Sequence, residues 1–175
     1  MRNLNPIVIL VLSLALLNSC DKNDEPIEII GNIDIYLIDS YENVGSSFEI
    51  DESSVVLEPE PFIPYPEIIS YDKSQHRFEI TEEAINTIQS AEIPLNGLAF
   101  ALTANDKIVY TGYFWSELSS LICDWIIIES VDFVVTNHYS LSVKLGHPED
   151  LVSVPDKRND NRIFNIFRRD NKLIQ

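Results

Sequence analysis

Residues 76–115, HRFEITEEAINTIQSAEIPLNGLAFALTANDKIVYTGYFW, carry the clearest pattern of secondary structure in this chain. The first five of them, His76–Ile80, predict a strand. Thr81 is a suitable N-cap residue, and the two glutamates after it favour the positive end of a helix dipole. We therefore expect a strand that is followed directly by a helix over Ala84–Ser90.

Two further strands complete this segment. Leu98–Thr103 and Lys107–Trp115 are joined by Ala104-Asn105-Asp106, which is typical of a hairpin turn. The predicted order of elements is therefore β-α-β-β. Isoleucine and valine are frequent along the chain whereas alanine is rare, and this composition favours pleated sheet over helix. We predict a single α+β domain over residues 31–175, built on a mostly antiparallel sheet.

The β-α-β-β segment resembles a known subdomain. The resemblance is carried by Phe78-Glu79-Ile80-Thr81-Glu82-Glu83-Ala84, by Leu98-Ala99-Phe100-Ala101-Leu102 and by Asp106-Lys107-Ile108-Val109. Over residues 77–115 these motifs look like the head subdomain in the periplasmic region of SecD-type translocases. The resemblance implies a local fold and no translocation activity, because the transmembrane helices of that family have no counterpart in this sequence.

The end of the chain predicts a short closing helix. Within Arg162–Arg169, apolar residues recur with the i, i+3, i+4 spacing of one helix face, at Ile163, Ile166 and Phe167. Asp160 is a good N-cap residue, and Asn171 suits the left-handed position that follows a helix. A hairpin is the alternative for this segment.

Apolar runs predict the remaining strands. Asn32–Ile38 alternates apolar and polar residues, as a half-buried strand does. Glu58–Pro66 contains four prolines and predicts a stiff, polyproline-like connector, with a recognition segment as the alternative. Further strand candidates are Ser54–Leu57, Trp125–Glu129, Phe133–Thr136 and Tyr139–Leu145.

The N-terminus predicts export and lipidation. Arg2 precedes an apolar run over residues 7–17. That run is shorter than the roughly 20 residues of a transmembrane helix, and it fits a secretory signal peptide over residues 1–19. The ending Leu17-Asn18-Ser19-Cys20 resembles the lipobox of bacterial lipoproteins, which implies cleavage before Cys20 and acylation of its thiol by chains such as palmitate. A plain signal peptide with a chance cysteine is the alternative.

Residues 20–30 are acidic after Cys20 and predict an extended, solvated tether. This acidic cluster resembles the export signals of Bacteroidetes surface lipoproteins. Tyr110-x-Gly112-x-Phe114, Cys123-x-Trp125 and Arg158-Asn159-Asp160 look like a group of uncharacterised Bacteroidetes lipoproteins. The resemblance implies a lipid-anchored protein of the cell envelope, in the outer membrane, with its domain either periplasmic or surface-exposed.

Composition limits the range of functions. The chain has 28 acidic and 12 basic residues, a net charge of −16, which argues against nucleic-acid binding because phosphate contacts need a surplus of Lys and Arg. His76, His138 and His147 lack the spacing of a zinc site, and Ser70-Tyr71-Asp72-Lys73 matches Ser-x-x-Lys without its companion motifs. We therefore expect no catalytic, cofactor or metal site, with weak surface Ca²⁺ binding as the alternative. We expect Cys123 to be buried and inert.

The strand Lys107–Trp115 supplies the candidate binding surface. Alternation would place Ile108, Tyr110 and Phe114 on one side and Val109, Thr111, Tyr113 and Trp115 on the other. Both sides are therefore apolar or aromatic. One interpretation is a central strand that is covered on both faces. The other is that Tyr113 and Trp115 face outward as an aromatic platform for a carbohydrate or protein partner.

These observations predict a membrane-anchored envelope lipoprotein. Its first partner is membrane lipid, which it would contact through acylated Cys20. We expect a non-enzymatic binding or accessory module. The alternative is an envelope hydrolase whose catalytic residues come together only in the folded chain.

Overall fold

The computed structural model describes residues 31–116, 118–129, 132–133 and 139–175. The predicted signal peptide, the lipid-attachment residue Cys20 and the predicted tether of residues 20–30 lie outside the described residues. His138 and residues 134–136 of the predicted strand Phe133–Thr136 lie outside them as well.

The described chain is mostly sheet, with two short α-helices. The helices are α1 (Glu82–Ser90) and α2 (Asn161–Arg169). The strands are β1 (Ile33–Ser40), β2 (Val56–Leu57), β3 (Ile68–Asp72), β4 (Arg77–Ile80), β5 (Leu98–Ala104), β6 (Lys107–Trp115), β7 (Ile127–Glu129), β8 (Asp132–Phe133), β9 (Tyr139–Lys144) and β10 (Leu173–Ile174). Single turns of 3-10 helix lie at Glu52–Ser54, Tyr65–Glu67 and Glu149–Leu151.

These strands form one mixed sheet. Its order is β10-β3-β4-β9-β7-β6-β5-β1-β2, and β8 pairs with β9 beside this path. Seven of the pairings in the described chain are antiparallel, whereas β6–β7 and β10–β3 are parallel. The predicted α+β class is therefore confirmed in its general form, and the sheet is mixed rather than purely antiparallel.

The segment 76–115 folds into β4, α1, β5 and β6 in that order. Thr81 caps α1 by accepting a hydrogen bond from the backbone N–H of Ala84 at 3.3 Å. However, β4 and β5 are not neighbours, because β9, β7 and β6 lie between them in the sheet. The helix α1 and the residues after it therefore carry the chain across one face of the sheet, from β4 to β5.

A β-bulge in β6 changes which side chains share a face. Leu102 pairs with Tyr110 and Thr103 pairs with Ile108, so that Val109 is the extra residue. Val109 therefore lies with Tyr110 in the core of one face, while Ile108 packs on the opposite face. The predicted sides of Ile108 and Val109 were wrong, because the bulge interrupts the simple alternation.

The two faces of the sheet are covered differently. We call the face that packs against α1 and α2 the helix face, and the other the loop face. The helix-face core includes Phe78, Phe100, Tyr110, Phe114, Leu141 and Phe167, together with Ile85 and Ile88 of α1. The loop-face core is smaller and includes Ile50, Tyr113, Trp115, Cys123, Trp125 and Ile127.

The closing helix is confirmed. Asp160 accepts a hydrogen bond from the backbone N–H of Arg162 at 2.8 Å, and Asn171 has a φ of 56°. The N–H of Lys172 bonds the carbonyl of Phe167 at 2.8 Å, as in a Schellman ending. The predicted apolar stripe of Ile163, Ile166 and Phe167 is fully buried in the helix-face core.

The proline-rich segment lies along β1. Ile63 and Ile35 exchange two backbone hydrogen bonds, each of 3.0 Å, and the side chain of Ile63 is buried. The N–H of Tyr65 bonds a carboxylate oxygen of Asp34 at 2.9 Å. These contacts fix the segment in place between β2 and β3, which agrees with its interpretation as a connector.

Candidate functional site

The two residues of the predicted platform are buried. Tyr113 and Trp115 are each 1% exposed and belong to the loop-face core. The hydroxyl of Tyr113 donates to the carbonyl of Phe48 at 3.0 Å, and the ring of Phe48 packs edge-on against both side chains. Tyr113 and Trp115 therefore do not form an outward-facing aromatic surface, and β6 is the central strand covered on both faces.

An apolar cleft lies at one end of the same strand. It has a volume of about 290 Å³. Its walls come from the second half of α1 and the residues after it, and from the ends of β6 and β7 together with β9. The lining residues are Ile88, Gln89, Ala91, Ile93, Phe114, Trp115, Ile128, Glu129 and Leu141.

The sheet register explains why these residues meet. In the parallel pair β6–β7, Phe114 lies opposite Ile128, and Trp115 lies opposite Glu129. Ile88 anchors α1 on the helix face, where Phe114, Ile128 and Leu141 also lie. Because α1 has only nine residues, it ends at Ser90, well before the chain reaches β5 at Leu98. The cleft forms where the helix no longer covers the sheet.

The polar residue Glu129 contacts two basic side chains beside the cleft. One carboxylate oxygen contacts the ammonium group of Lys144, and the other lies 3.4 Å from Nδ1 of His147. The imidazole of His147 also packs on the indole of Trp115, with 6.2 Å between the ring centroids. The side chains of Glu129, Lys144 and His147 are all partly exposed. Glu129 is thus held in place by an ion pair with Lys144 and a contact with His147.

Among the described residues, the single cysteine, Cys123, is not a candidate nucleophile. Cys123 is fully buried, its thiol contacts the carbonyl of Trp125 at 3.7 Å, and burial raises the pKa of the thiol to about 12. The prediction that Cys123 is buried is confirmed, and its raised pKa keeps it in the unreactive thiol form.

The serine of the Ser-x-x-Lys match lies within the sheet. Ser70 lies within β3 and donates a hydrogen bond to a carboxylate oxygen of Glu79 at 2.8 Å. Across the described ranges, no group of three or more His, Cys, Asp and Glu side chains is arranged to hold a metal ion.

The chain enters the domain at the opposite end of the sheet. Gly31 lies against the Asn105 side chain, and the N–H of Asn105 bonds the carbonyl of Asn32 at 3.1 Å. We call this the turn end, because the β5–β6 turn lies there, and we call the other the cleft end. The two ends are separated by the length of β5, whose seven residues span about 20 Å at about 3.3–3.4 Å for each step between neighbours.

The cleft end also carries exposed apolar side chains. Segment 91–97 leads into β5, and residues 118–122 follow β6. Their most exposed large apolar side chains are Leu95, Leu118, Leu121 and Ile122, between 44% and 87% exposed.

No family model, no curated protein and no solved structure matches this chain. Among the described residues, the structure has no helix that is long and apolar enough to cross a membrane. The candidate site therefore rests on its own geometry.

Sequence reasoning missed the cleft residues for a physical reason. Ile88, Phe114 and Ile128 have the pattern of core residues, and nothing in their local sequence marks them as the lining of a cleft. They line a cleft because three strands separate β4 from β5 in the sheet, and α1 is too short to cover all of them. Predicting the cleft would have required knowing which strands pair with β9, and strand pairing is not a local property of the sequence.

Proposed function

We propose that this chain is a lipid-anchored protein of the cell envelope that binds a ligand in the apolar cleft without catalysing a reaction. The observation that carries the binding role is the cleft itself. Its volume of about 290 Å³ lies at the lower end of the range for small-molecule sites, roughly 300–1,000 Å³. Its lining is mostly apolar, with Gln89 and Glu129 as the polar residues.

The anchor is proposed from the sequence. Leu17-Asn18-Ser19-Cys20 supplies the lipobox, and acylation of Cys20 would add two or three long chains. Each buried methylene contributes about 0.8 kcal/mol, so several chains give stable attachment where one gives a reversible one. The placement of Gly31 at the turn end supports a geometry in which the cleft end is directed away from the membrane.

The anchor is tested by metabolic labelling with an acyl-chain probe in a bacterial host with lipoprotein processing. Cys20→Ala should abolish labelling and release the protein from the membrane fraction. Cys123→Ala is the matched control, and it should be labelled as the native chain is, because Cys123 is fully buried. Labelling that persists in Cys20→Ala would contradict the proposed anchor.

A hydrolytic function has one observation in its favour, the contact of His147 with Glu129 at 3.4 Å beside the cleft. A carboxylate can orient an imidazole that acts as a general base. Hydrolysis of short-chain nitrophenyl esters, measured for the native chain and for His147→Ala, separates the two functions. Turnover that is lost in His147→Ala would favour the hydrolase over the binding module.

The finer description of the fold stays a proposal as well. The succession of β4, α1, β5 and β6 supports a local likeness to the head subdomain of SecD-type translocases. We attach no activity to this likeness.

A further inference from the structure

The size of the cleft limits its ligand. An apolar cavity of about 150 Å³ accepts benzene, which has six non-hydrogen atoms. On that scale, the volume of about 290 Å³ corresponds to roughly ten to twelve non-hydrogen atoms. A short hydrocarbon chain or a two-ring aromatic group fits these limits, whereas a complete phospholipid does not.

The lining favours an apolar group in the interior of the cleft. Phe114, Ile128 and Leu141 are buried side chains of the sheet, and Ile88 closes the helix side. None of these four side chains can form a hydrogen bond with a ligand. Burying an unpaired polar group of the ligand among them would cost free energy, so the polar part must stay at the rim, near Gln89 or Glu129.

The charge around the cleft selects between ligand headgroups. Residues 31–175 contain 24 acidic and 10 basic residues, a net charge of −14. The helix side of the cleft is formed within residues 88–93, which contain Glu92 and no Lys or Arg. Lys144 and His147 lie near the rim but contact the Glu129 carboxylate. The field of such a protein repels anions and attracts cations.

We infer that the cleft takes a neutral or cationic ligand with an apolar group of about ten non-hydrogen atoms, and that it excludes anionic amphiphiles such as fatty acids. This inference rests on the proposed binding role of the cleft. It names the ligand chemistry that the lining and the surrounding charge would recognise together.

Three eight-carbon probes test the inference: 1-octanol, octylamine and octanoate. Binding to the folded full chain is measured by isothermal titration calorimetry at pH 7.5, at low and at moderate salt. Octanol and octylamine should bind one-to-one with Kd below about 1 mM. Octanoate should bind at least tenfold more weakly at low salt, and added salt should narrow the difference because it screens the repulsion.

Two variants show whether the probes occupy the cleft. Ala91→Trp places a large side chain at a partly exposed lining position and should weaken octanol and octylamine binding at least tenfold. Asn86→Trp is the matched control, because Asn86 lies on the exposed side of the same helix and outside the lining. Its binding should equal that of the native chain.

The outcomes separate the inference from the proposed function. Octanoate binding that equals or exceeds octanol binding, and that Ala91→Trp removes, would overturn the charge selectivity and leave the binding role intact. Failure of all three probes to bind, or binding that Ala91→Trp does not change, would overturn both the inference and the cleft as the binding site. Glu129→Gln should raise the relative affinity for octanoate, and an unchanged ratio would also count against the charge argument.

Discussion

At the scale of single residues, burial decides the role of Tyr113 and Trp115 in β6. Tyr113 fills the loop-face core and its hydroxyl bonds both Phe48 and Asn43, each at 3.0 Å. Tyr113→Ala should therefore lower the free energy of unfolding by about 3–5 kcal/mol, as other large-to-small core substitutions do. Tyr113→Phe keeps the ring and should cost only about 1 kcal/mol for the lost hydrogen bonds. Urea denaturation measures both. A loss below about 1 kcal/mol for Tyr113→Ala would contradict the core role and restore a surface one.

A second prediction at this scale concerns the ion pair of Asp156 and Arg158. Two guanidinium nitrogens of Arg158 bond the carboxylate at 2.9 and 3.0 Å, and Arg158 is 9% exposed. Hydrogen bonds from Arg158 hold the pKa of Asp156 below its ordinary value of 3.8. Because the folded pKa is the lower one, the pair stabilises the fold above about pH 4 and loses this effect as the pH falls through the folded pKa.

Asp156→Asn should therefore destabilise the protein at pH 7 by about 1 kcal/mol, since the carboxylate is partly exposed. The difference from the native chain should shrink below pH 4. Denaturation curves at pH 7 and pH 3 check this, with Asp150→Asn, an exposed carboxylate, as the control. A difference of equal size at both pH values would show that the charge of Asp156 is not the cause.

At the scale of elements, α2 closes the helix face. The ring of Phe167 packs against those of Tyr65, Tyr71 and Phe78, with centroids 5.6–6.0 Å apart. Phe167→Ala should cost about 3–5 kcal/mol, because a large ring is removed from a buried cluster. Arg168→Ala, at an exposed position of the same helix, should change the stability by less than about 0.5 kcal/mol. Equal melting temperatures for the two variants would show that α2 is not part of the core.

The sequence correctly predicted the features that depend on neighbouring residues, such as helix caps and turns. The cap of α1 at Thr81, the turn at Asn105 and the ending of α2 at Asn171 depend on residues a few positions apart, and each is confirmed. The bulge at Val109 and the separation of β4 from β5 depend on pairing across the sheet. Paired strands are distant in the sequence, so the periodicity of hydrophobic residues alone could not predict which strands pair.

At the scale of the whole molecule, the candidate site follows from topology. Phe114 and Trp115 were singled out as members of an aromatic strand, and both line the cleft. The remaining lining residues come from α1, segment 91–97, β7 and β9, which have no shared motif. The cleft also lies at the end of the sheet opposite to Gly31, so the predicted tether would leave the domain about 20 Å from the cleft, by the rise of about 3.4 Å per residue along β5.

The location of Gly31 and the cleft at opposite ends of the sheet predicts a mean orientation of the domain on a membrane. The predicted tether of residues 20–30 would reach at most about 36 Å at about 3.3 Å per residue. Lys107 lies at the turn end and Leu95 precedes β5 at the cleft end, and both are exposed. In acylated protein on vesicles, a fluorophore on Lys107→Cys should be quenched more strongly by spin-labelled lipid headgroups than one on Leu95→Cys. Labelling is selective because Cys123 is fully buried.

Neither fluorophore should be quenched when Cys20→Ala removes the anchor. Equal quenching at both positions, or stronger quenching at Leu95→Cys, would show that the cleft end is not directed away from the membrane.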